Sequence, residues 1–228
     1  MGRGLAGVVL LGALGCAYSP PIRGLHPGMP GRLVQGQLEV GGEAGGGGLT
    51  NGGLVTAPTT GGAHVAYGLS DTLVVEGGAN LNLFEGAWAT AYGGVRLSRS
   101  KPVAGGGLRL IGELELGAGL GLGGRVNASA APWASYQSYG LYEGLGVGLR
   151  WNALGAYVRG RLDASVSNTA PATLWPTLMA GLDARAGEHV VFGVGAGMGG
   201  FWNRTQGLVG IWFYEAQVAL LFDLRPAK

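Results

Sequence analysis

The sequence predicts an all-β protein: a single antiparallel up-and-down barrel that crosses a membrane, with ten strands and an eight-stranded barrel as the alternative. The first observation is residues 108–122, LRLIGELELGAGLGL, where leucine or a small residue occupies every even position. The odd positions are mostly charged or glycine, and a period of two is typical of a strand with two unlike faces. The second observation is that nine further segments repeat this alternation. The third is the order of short and long connections between them.

Composition argues against several classes of function. Charged residues make up 12% of the 228 residues, about half of the usual share, and glycine occurs 49 times. The 15 Lys and Arg residues are balanced by 13 Asp and Glu residues, so no basic stripe is available for nucleic acid. Cys16 is the single cysteine, which excludes an internal disulfide and a cysteine metal cluster. We therefore expect no nucleic acid partner, no metal and no cofactor.

The first 31 residues are predicted to serve export and anchoring. In residues 1–15, Arg3 precedes an apolar run that matches an export signal and is too short for a membrane-spanning helix. The segment that ends in Cys16 resembles the lipobox of bacterial lipoproteins, whose cysteine becomes the lipidated first residue of the mature protein. Ala13 stands where that motif has leucine, so ordinary signal cleavage with an incidental cysteine stays open. Residues 16–31 are rich in proline and glycine and predict a lipidated N-terminus with a tether.

Residues 32–224 are predicted to form the barrel, and residues 225–228 a C-terminal tail. Two-residue turns are expected at 70–71 and 187–188, and the second, sixth and eighth connections are short. The first, fifth, seventh and ninth connections are longer, and transmembrane barrels have short turns on the periplasmic rim and long loops outside. Because the number of strands is even, both termini are expected on the periplasmic side. The predicted strands are residues 32–43, 63–69, 72–82, 87–98, 108–122, 138–151, 154–166, 177–186, 190–201 and 210–224.

The aromatic residues favour lipid around the apolar face of the strands. Tyr139 and Trp151 share the apolar face of the sixth strand and are twelve residues apart. At about 3.3 Å per residue and a tilt near 40°, roughly 30 Å separates them along the membrane normal, close to the spacing of two interfacial girdles. Trp212 and Phe222 repeat this arrangement on the last strand. We predict these four side chains as interfacial aromatics.

The opposite face of the strands carries nearly all the charge of the barrel. Its acids number seven and its arginines six, whereas the predicted strands contain no lysine. Arginine is favoured over lysine where ion pairs are desolvated and must form several hydrogen bonds. We therefore predict an ion-pair network in the lumen, formed by Glu39, Glu76, Arg96, Arg109, Glu113, Glu115, Arg150, Arg159, Arg161, Asp163, Asp183, Arg185 and Glu215.

Through this pattern, residues 32–224 resemble the superfamily of small Gram-negative outer-membrane β-barrels, which includes OmpA-like and porin-like barrels. The resemblance implies a location in the outer membrane, within its lipid, with loops exposed at the cell surface. Other envelope proteins or surface glycans are the partners that such loops would bind. The sequence leaves the oligomeric state open.

Three functions are compatible with such a barrel. The leading hypothesis is a non-enzymatic structural or partner-docking component of the cell envelope, because thirteen charged side chains can fill so narrow a bore. A hydrolase is the least favoured, with His64 as its single candidate and no catalytic residue predicted otherwise. The alternative is a narrow pore for ions or small solutes, suggested by lumen residues that could leave space: Gly117, Gly119, Gly121, Gly144, Gly146, Gly148, Gly193, Gly195 and Gly197.

Overall fold

The computed structural model describes residues 21–23, 26–49, 60–82, 87–103, 107–124, 136–168, 172–204 and 207–225. Ten antiparallel strands form a closed barrel in which each strand pairs with its neighbours along the chain and the last pairs with the first. This confirms the predicted all-β up-and-down barrel, with ten strands and not eight. No helix among these residues is long and apolar enough to cross a membrane. The strands are β1 (Gln37–Leu49), β2 (Thr60–Gly68), β3 (Leu73–Asn82), β4 (Ala87–Pro102), β5 (Leu108–Gly124), β6 (Tyr136–Trp151), β7 (Leu154–Ser167), β8 (Thr173–Ala186), β9 (Val190–Asn203) and β10 (Gly207–Asp223).

Some strand boundaries differ from the prediction because pairing between strands outweighs the weak local preference of glycine for a strand. β1 covers Gln37–Leu49 rather than 32–43, so the run of glycines predicted as a loop is paired with β10. A Cβ on Gly47 would clash with the backbone of Trp212, so the close approach of these two strands requires glycine. β8 likewise begins earlier than predicted, at Thr173.

Side chains of the strands alternate between the outside and the lumen, and the outside is apolar. Leu141, Leu145 and Leu178 have exposed fractions of 65%, 67% and 59%. Charged side chains of the same barrel are buried, as Glu115 and Arg159 are with 1% exposed. A soluble protein shows the opposite distribution and rarely exposes a contiguous apolar belt. The barrel therefore spans a membrane, with lipid against its apolar face.

The connections between strands define two rims. Those after β2, β4, β6 and β8 form the short-turn rim, where β1 also begins and β10 ends. The connections after the odd-numbered strands, including the long first and fifth ones, form the long-loop rim. The turns predicted at 70–71 and 187–188 lie at the short-turn rim, where Gly187 has a φ of 70° and Asn152 a φ of 53°. Both residue types accept this left-handed backbone in tight hairpin turns at little cost.

Of the described residues that precede β1, those up to Leu33 lie inside the barrel, and we call residues 21–23 and 26–33 the lumen segment. Val34 and Gln35 are exposed at the short-turn rim. Nearer the long-loop rim, Ile22 packs in a buried cluster with Tyr92 of β4 and Tyr142 of β6. Towards the short-turn rim, Leu33 is buried in an apolar cluster with residues from β2, β3, β9 and β10, namely Ala66, Val74, Val191 and Leu221. The segment therefore runs along the bore, from the half nearer the long-loop rim to the short-turn rim.

Of the predicted tether, residues 16–31, the structure describes residues 21–23 and 26–31, and these do not lie free of the barrel. A tether leaves its residues outside the folded barrel, but apolar Met29 and polar Arg23, His26 and Arg32 are all at most 2% exposed. The physical reason is that an acidic lumen attracts buried cations, which local periodicity does not report. β1 begins on the expected rim, but the chain before it turns back into the bore. Residues 1–20, with the predicted export signal and Cys16, and residues 226–228 lie outside the described residues.

Candidate functional site

The centre of the lumen holds ion pairs between strands that are not adjacent. Arg159 of β7 pairs with Glu113 and Glu115 of β5, with 3.1 Å between Arg159 Nη1 and Glu115 Oε2. Between them lies Gly146 of β6, which is in register with both Glu113 and Arg159. A Cβ on Gly146 would lie 3.1 Å from Arg159 Cγ. The missing side chain on β6 therefore lets the long arginine reach across one strand to its acids.

Residues of the strands form two further ion pairs in the lumen. Arg96 of β4 pairs with Glu76 of β3, with 2.9 Å between Nε and Oε2, and approaches Glu113 to 3.8 Å. Arg161 Nε of β7 donates to Asp163 Oδ2 at 2.8 Å. All of these side chains are at most 2% exposed, so each charge depends on its partners for solvation. Through Glu113, the pairs of Arg96 and Arg159 form one network that joins β3, β4, β5 and β7 in the middle of the bore.

Arg23 of the lumen segment enters this network from inside. Its guanidinium pairs with Glu76 and, over 3.0 Å, with Glu115. Its backbone N–H donates to Asp163 Oδ1 at 3.2 Å. The guanidinium also lies over the ring of Tyr92, 4.7 Å from the ring centre, where a desolvated cation is attracted to the π system. Arg23 therefore joins acids from β3, β5 and β7 to the lumen segment.

Arg32 holds the other end of the lumen segment. Its Nη1 donates to Glu39 Oε2 of β1 at 3.2 Å, and its Nη2 donates to Asp183 Oδ2 of β8 at 2.8 Å. Nη2 is also 3.2 Å from Gln217 Oε1 of β10. Charge-assisted bonds of this kind are stronger than neutral ones. A single buried arginine thus connects three strands near the short-turn rim.

Between the two arginines, the segment is held by His26 and by backbone bonds. His26 Nδ1 lies 3.3 Å from Glu215 Oε2 of β10, and its ring stacks on Phe213 at 5.5 Å. Gly31 N donates to Glu113 Oε2 at 2.8 Å, and Arg159 Nε donates to the carbonyl of Gly28 at 2.7 Å. The lumen segment is therefore bonded along its length and not only at its ends.

His64, the residue singled out for hydrolysis, is part of the packing of the lumen. Its Nδ1 is 2.6 Å from Glu43 Oε2 and its Nε2 is 3.0 Å from Glu39 Oε1. Only 5% of the residue is exposed. Both ring nitrogens are occupied by carboxylates of β1, so neither is available to a substrate in this arrangement.

The structure places all thirteen predicted network residues on the lumen face, but it brings only part of them into ion pairs. Arg109 is exposed at the short-turn rim and donates from Nε to Ser100 Oγ at 2.8 Å. Arg185 donates from Nη2 to the carbonyl of Arg32 at 2.8 Å. Neither these two nor Arg150 has a carboxylate partner in the described part of the chain.

Sequence reasoning missed Arg23 and His26 of the lumen segment, because both lie in a stretch without periodicity. It also missed Glu43, which shares the lumen face of β1 with Glu39. The composition of the predicted network did indicate that a positively charged residue was missing. The predicted network had more acids than arginines, and a narrow bore that excludes water requires the excess to be paired.

The predicted interfacial aromatics lie on the outer face. Tyr139 and Trp151, near opposite ends of β6, are 64% and 56% exposed, and Phe222 of β10 is 43% exposed. Trp212 is half-buried and stacks on Tyr214, with ring centres 6.1 Å apart. These positions suit side chains that meet the two borders of a bilayer.

Comparisons with known proteins give structural similarity but no sequence family: no protein-family model matches the chain, and no curated protein matches it. The N-terminal β-barrel domain of Pseudomonas aeruginosa OprF is 14% identical, covering 82% of this chain and 98% of that one, with a TM-score of 0.39. Ail, the attachment invasion locus protein of Yersinia pestis, is 11% identical, covering 83% and 100%, with a TM-score of 0.29. A loop-deletion mutant of OmpT, an outer membrane protein of Vibrio cholerae, is 8% identical, covering 82% and 100%, with a TM-score of 0.31. Because so few residues are identical, no functional residue of these proteins is assigned to a position of this chain.

Proposed function

We propose that this membrane-spanning barrel is a non-enzymatic component of the Gram-negative outer membrane, with a sealed lumen and a role that lies in what its rims bind. The observation that carries the proposal is the lumen segment, which occupies the bore and is bonded to strands on every side of it. A barrel of this size has an interior only slightly wider than its own side chains can fill. With a segment of the chain added, little room is left for a solute.

The lumen glycines support a filled bore and not an open one. A Cβ on Gly148 would lie 2.6 Å from Met29 Cε, and one on Gly193 would lie 2.7 Å from Gln217 Cγ. Gly117 faces the ring of Tyr142 in the same way. The space that glycine leaves is therefore occupied by neighbouring side chains, including one from the lumen segment. This removes the main reason for preferring a pore.

The surroundings of His64 support the absence of catalysis. A hydrolytic histidine needs one ring nitrogen free to exchange a proton with a nucleophile or a leaving group. Both nitrogens of His64 are bound by Glu39 and Glu43, and the residue is buried. It acts as a cation or donor that joins two acids of β1.

The proposal includes an orientation in the membrane, which the two rims support. Transmembrane barrels of the outer membrane have their short turns in the periplasm, which supports a periplasmic position for the start of β1 and the end of β10. The long-loop rim then faces the cell surface. Other envelope proteins or surface glycans are the partners that these loops would meet, with outer-membrane lipid around the apolar face.

Single-channel recording in planar bilayers tests the proposal. The full-length protein, refolded and inserted, is expected to give no steady conductance. A variant that lacks residues 21–32 is the positive control, because it removes most of the lumen segment while keeping all ten strands, and it is expected to conduct. Heat-modifiable gel migration verifies that both proteins are folded. A steady, ion-selective conductance of the full-length protein would overturn the sealed lumen and establish the narrow pore instead.

A further inference from the structure

Three arginines at the short-turn rim have no anionic partner. Arg109 of β5, Arg150 of β6 and Arg185 of β8 point into the mouth of the barrel, and we call them the mouth arginines. None forms an ion pair with a carboxylate among the residues that the structure describes. They differ in this from the arginines deeper in the bore, each of which meets one or two acids.

The register of the strands brings the mouth arginines together. Arg109 and Arg150 are direct partners in the β5–β6 ladder. Arg150 is opposite Gly155 of β7, which is opposite Asp183 of β8, two residues before Arg185. Because Gly155 has no side chain, nothing from β7 separates Arg150 from β8 at this level. Arg150 is close enough to Arg185 and Arg109 for their charges to repel.

The acids near the mouth do not neutralise this cluster. Asp183 is bound by Arg32, whose Nη2 is 2.8 Å from Oδ2. Glu188, in the turn after β8, is exposed and forms no ion pair with any of the three. Asp183 also lies close enough to Arg150 and Arg185 to offset part of their charge. One carboxylate that is already paired with Arg32 does not balance three arginines, so this side of the mouth keeps a net positive charge.

Two of the unpartnered donors are also shielded from water. Arg150 Nη2 and Arg185 Nε are buried and have no hydrogen-bond acceptor within the described part of the chain. A buried charged donor without an acceptor is unfavourable, and nearly all such groups in folded proteins have a partner. Arg109, in contrast, is exposed. The cluster thus combines buried donors that lack an acceptor with an open side.

The lumen segment forms the floor of the site. Met29 lies against Gly148 and Gly155, just inside Arg150, and the carbonyl of Arg32 accepts a bond from Arg185 Nη2. The lumen segment therefore lies on the inner side of the cluster, and exposed Arg109 lies on its outer side, at the short-turn rim. A ligand would sit in a shallow cup, with β5 to β8 as its wall.

We propose that the mouth arginines bind a phosphate-bearing anion that enters from the short-turn side. The planar fork of arginine matches two phosphate oxygens at once, and three guanidiniums can surround a group with several oxygens. Phosphate is favoured over a single carboxylate because its larger charge balances more of the cluster. The group can come from a soluble phosphorylated molecule or from the headgroup of a phospholipid beside the rim.

Titration of the full-length protein with inorganic pyrophosphate tests this site. The protein is placed in nanodiscs of phosphatidylcholine at low ionic strength, and the heat of binding is measured. Arg109→Gln and Arg150→Gln are each expected to weaken binding about tenfold, the effect of losing charge-assisted hydrogen bonds. Arg225→Gln is the matched control, because it removes the same charge from the same rim, and less than about a twofold change is expected.

The outcomes decide the proposal. Absence of saturable binding to the full-length protein overturns it, as does an equal loss in Arg225→Gln, which would show attraction to net charge alone. If Arg150→Gln does not show the heat-modifiable migration of a folded barrel, Arg109→Gln decides, since its guanidinium is exposed. Repeating the titration in nanodiscs with phosphatidylglycerol distinguishes the two sources. If phosphatidylglycerol weakens the binding of pyrophosphate, the site binds lipid headgroups. If the binding of pyrophosphate is unchanged, the site binds a soluble phosphate.

Discussion

Replacing Arg23 by methionine should release the lumen segment from the middle of the barrel. Methionine keeps the apolar stem but removes the guanidinium that pairs with Glu76 and Glu115 and lies 4.7 Å from the centre of the Tyr92 ring. Removing one partner of a buried ion pair costs about 3–5 kcal/mol. Both acids keep another arginine, Arg96 for Glu76 and Arg159 for Glu115. The lower end, about 3 kcal/mol, is therefore expected.

Amide hydrogen exchange measures this loss directly, because it reports the free energy of local opening. A loss of about 3 kcal/mol corresponds to roughly a hundredfold faster exchange. The effect should be confined to peptides that cover residues 26–33, while peptides from β1 to β10 keep their protection. The full-length protein in nanodiscs is compared with its variants at one pH.

Arg225→Met is the matched control for this experiment. Arg225 pairs with Asp223 at the short-turn rim, where the two side chains are 57% and 44% exposed. Exposed ion pairs contribute little, so exchange of residues 26–33 should change less than about threefold. If Arg23→Met changes that exchange no more than Arg225→Met does, buried ion pairs do not hold the segment in the bore.

Two further predictions concern the wall of the barrel and are tested by urea unfolding in phosphatidylcholine vesicles. Gly117→Ala should lower the free energy of unfolding by about 1–3 kcal/mol, because the new Cβ would meet the ring of Tyr142. Gly112→Ala, on the same strand, has open space around its Cβ and should leave the stability unchanged. If both variants lose the same free energy, the packing of Tyr142 against Gly117 is contradicted. Leu145→Arg, in the middle of β6, should cost about 2–4 kcal/mol, and Leu154→Arg, at the rim, about 0–1 kcal/mol. If Leu145→Arg and Leu154→Arg lower the free energy of unfolding by the same amount, the outer face of the barrel does not contact lipid.

The strands and their two faces could be predicted because a period of two is a local property. In β5, Glu113 and Glu115 alternate with leucines, so the pattern shows that both acids share one face whatever the rest of the fold is. The glycine run of β1 could not be placed in this way. Its residues have no side chains to alternate, and only pairing with β10 shows that it is a strand.

The membership of the ion-pair network was predictable in part, but its pairs were not. Arg159 reaches Glu113 across Gly146 because the three residues are in register on β5, β6 and β7. Arg150 is in register with Arg109 and Gly155 and meets no acid. Register between strands is set by the whole closed barrel, so the sequence of one strand does not determine which arginine meets which carboxylate.

By itself, the sequence determined the architecture: ten alternating segments, an apolar outer face and a charged lumen, because each of these is a property of neighbouring residues along one strand. Only the tertiary structure decided what fills the lumen. The position of the lumen segment depends on contacts such as Arg32 with Asp183, 151 residues further along the chain, and Arg23 with Glu115, 92 residues further along. Such contacts leave no periodic signal, because they form only after the barrel has closed around the segment.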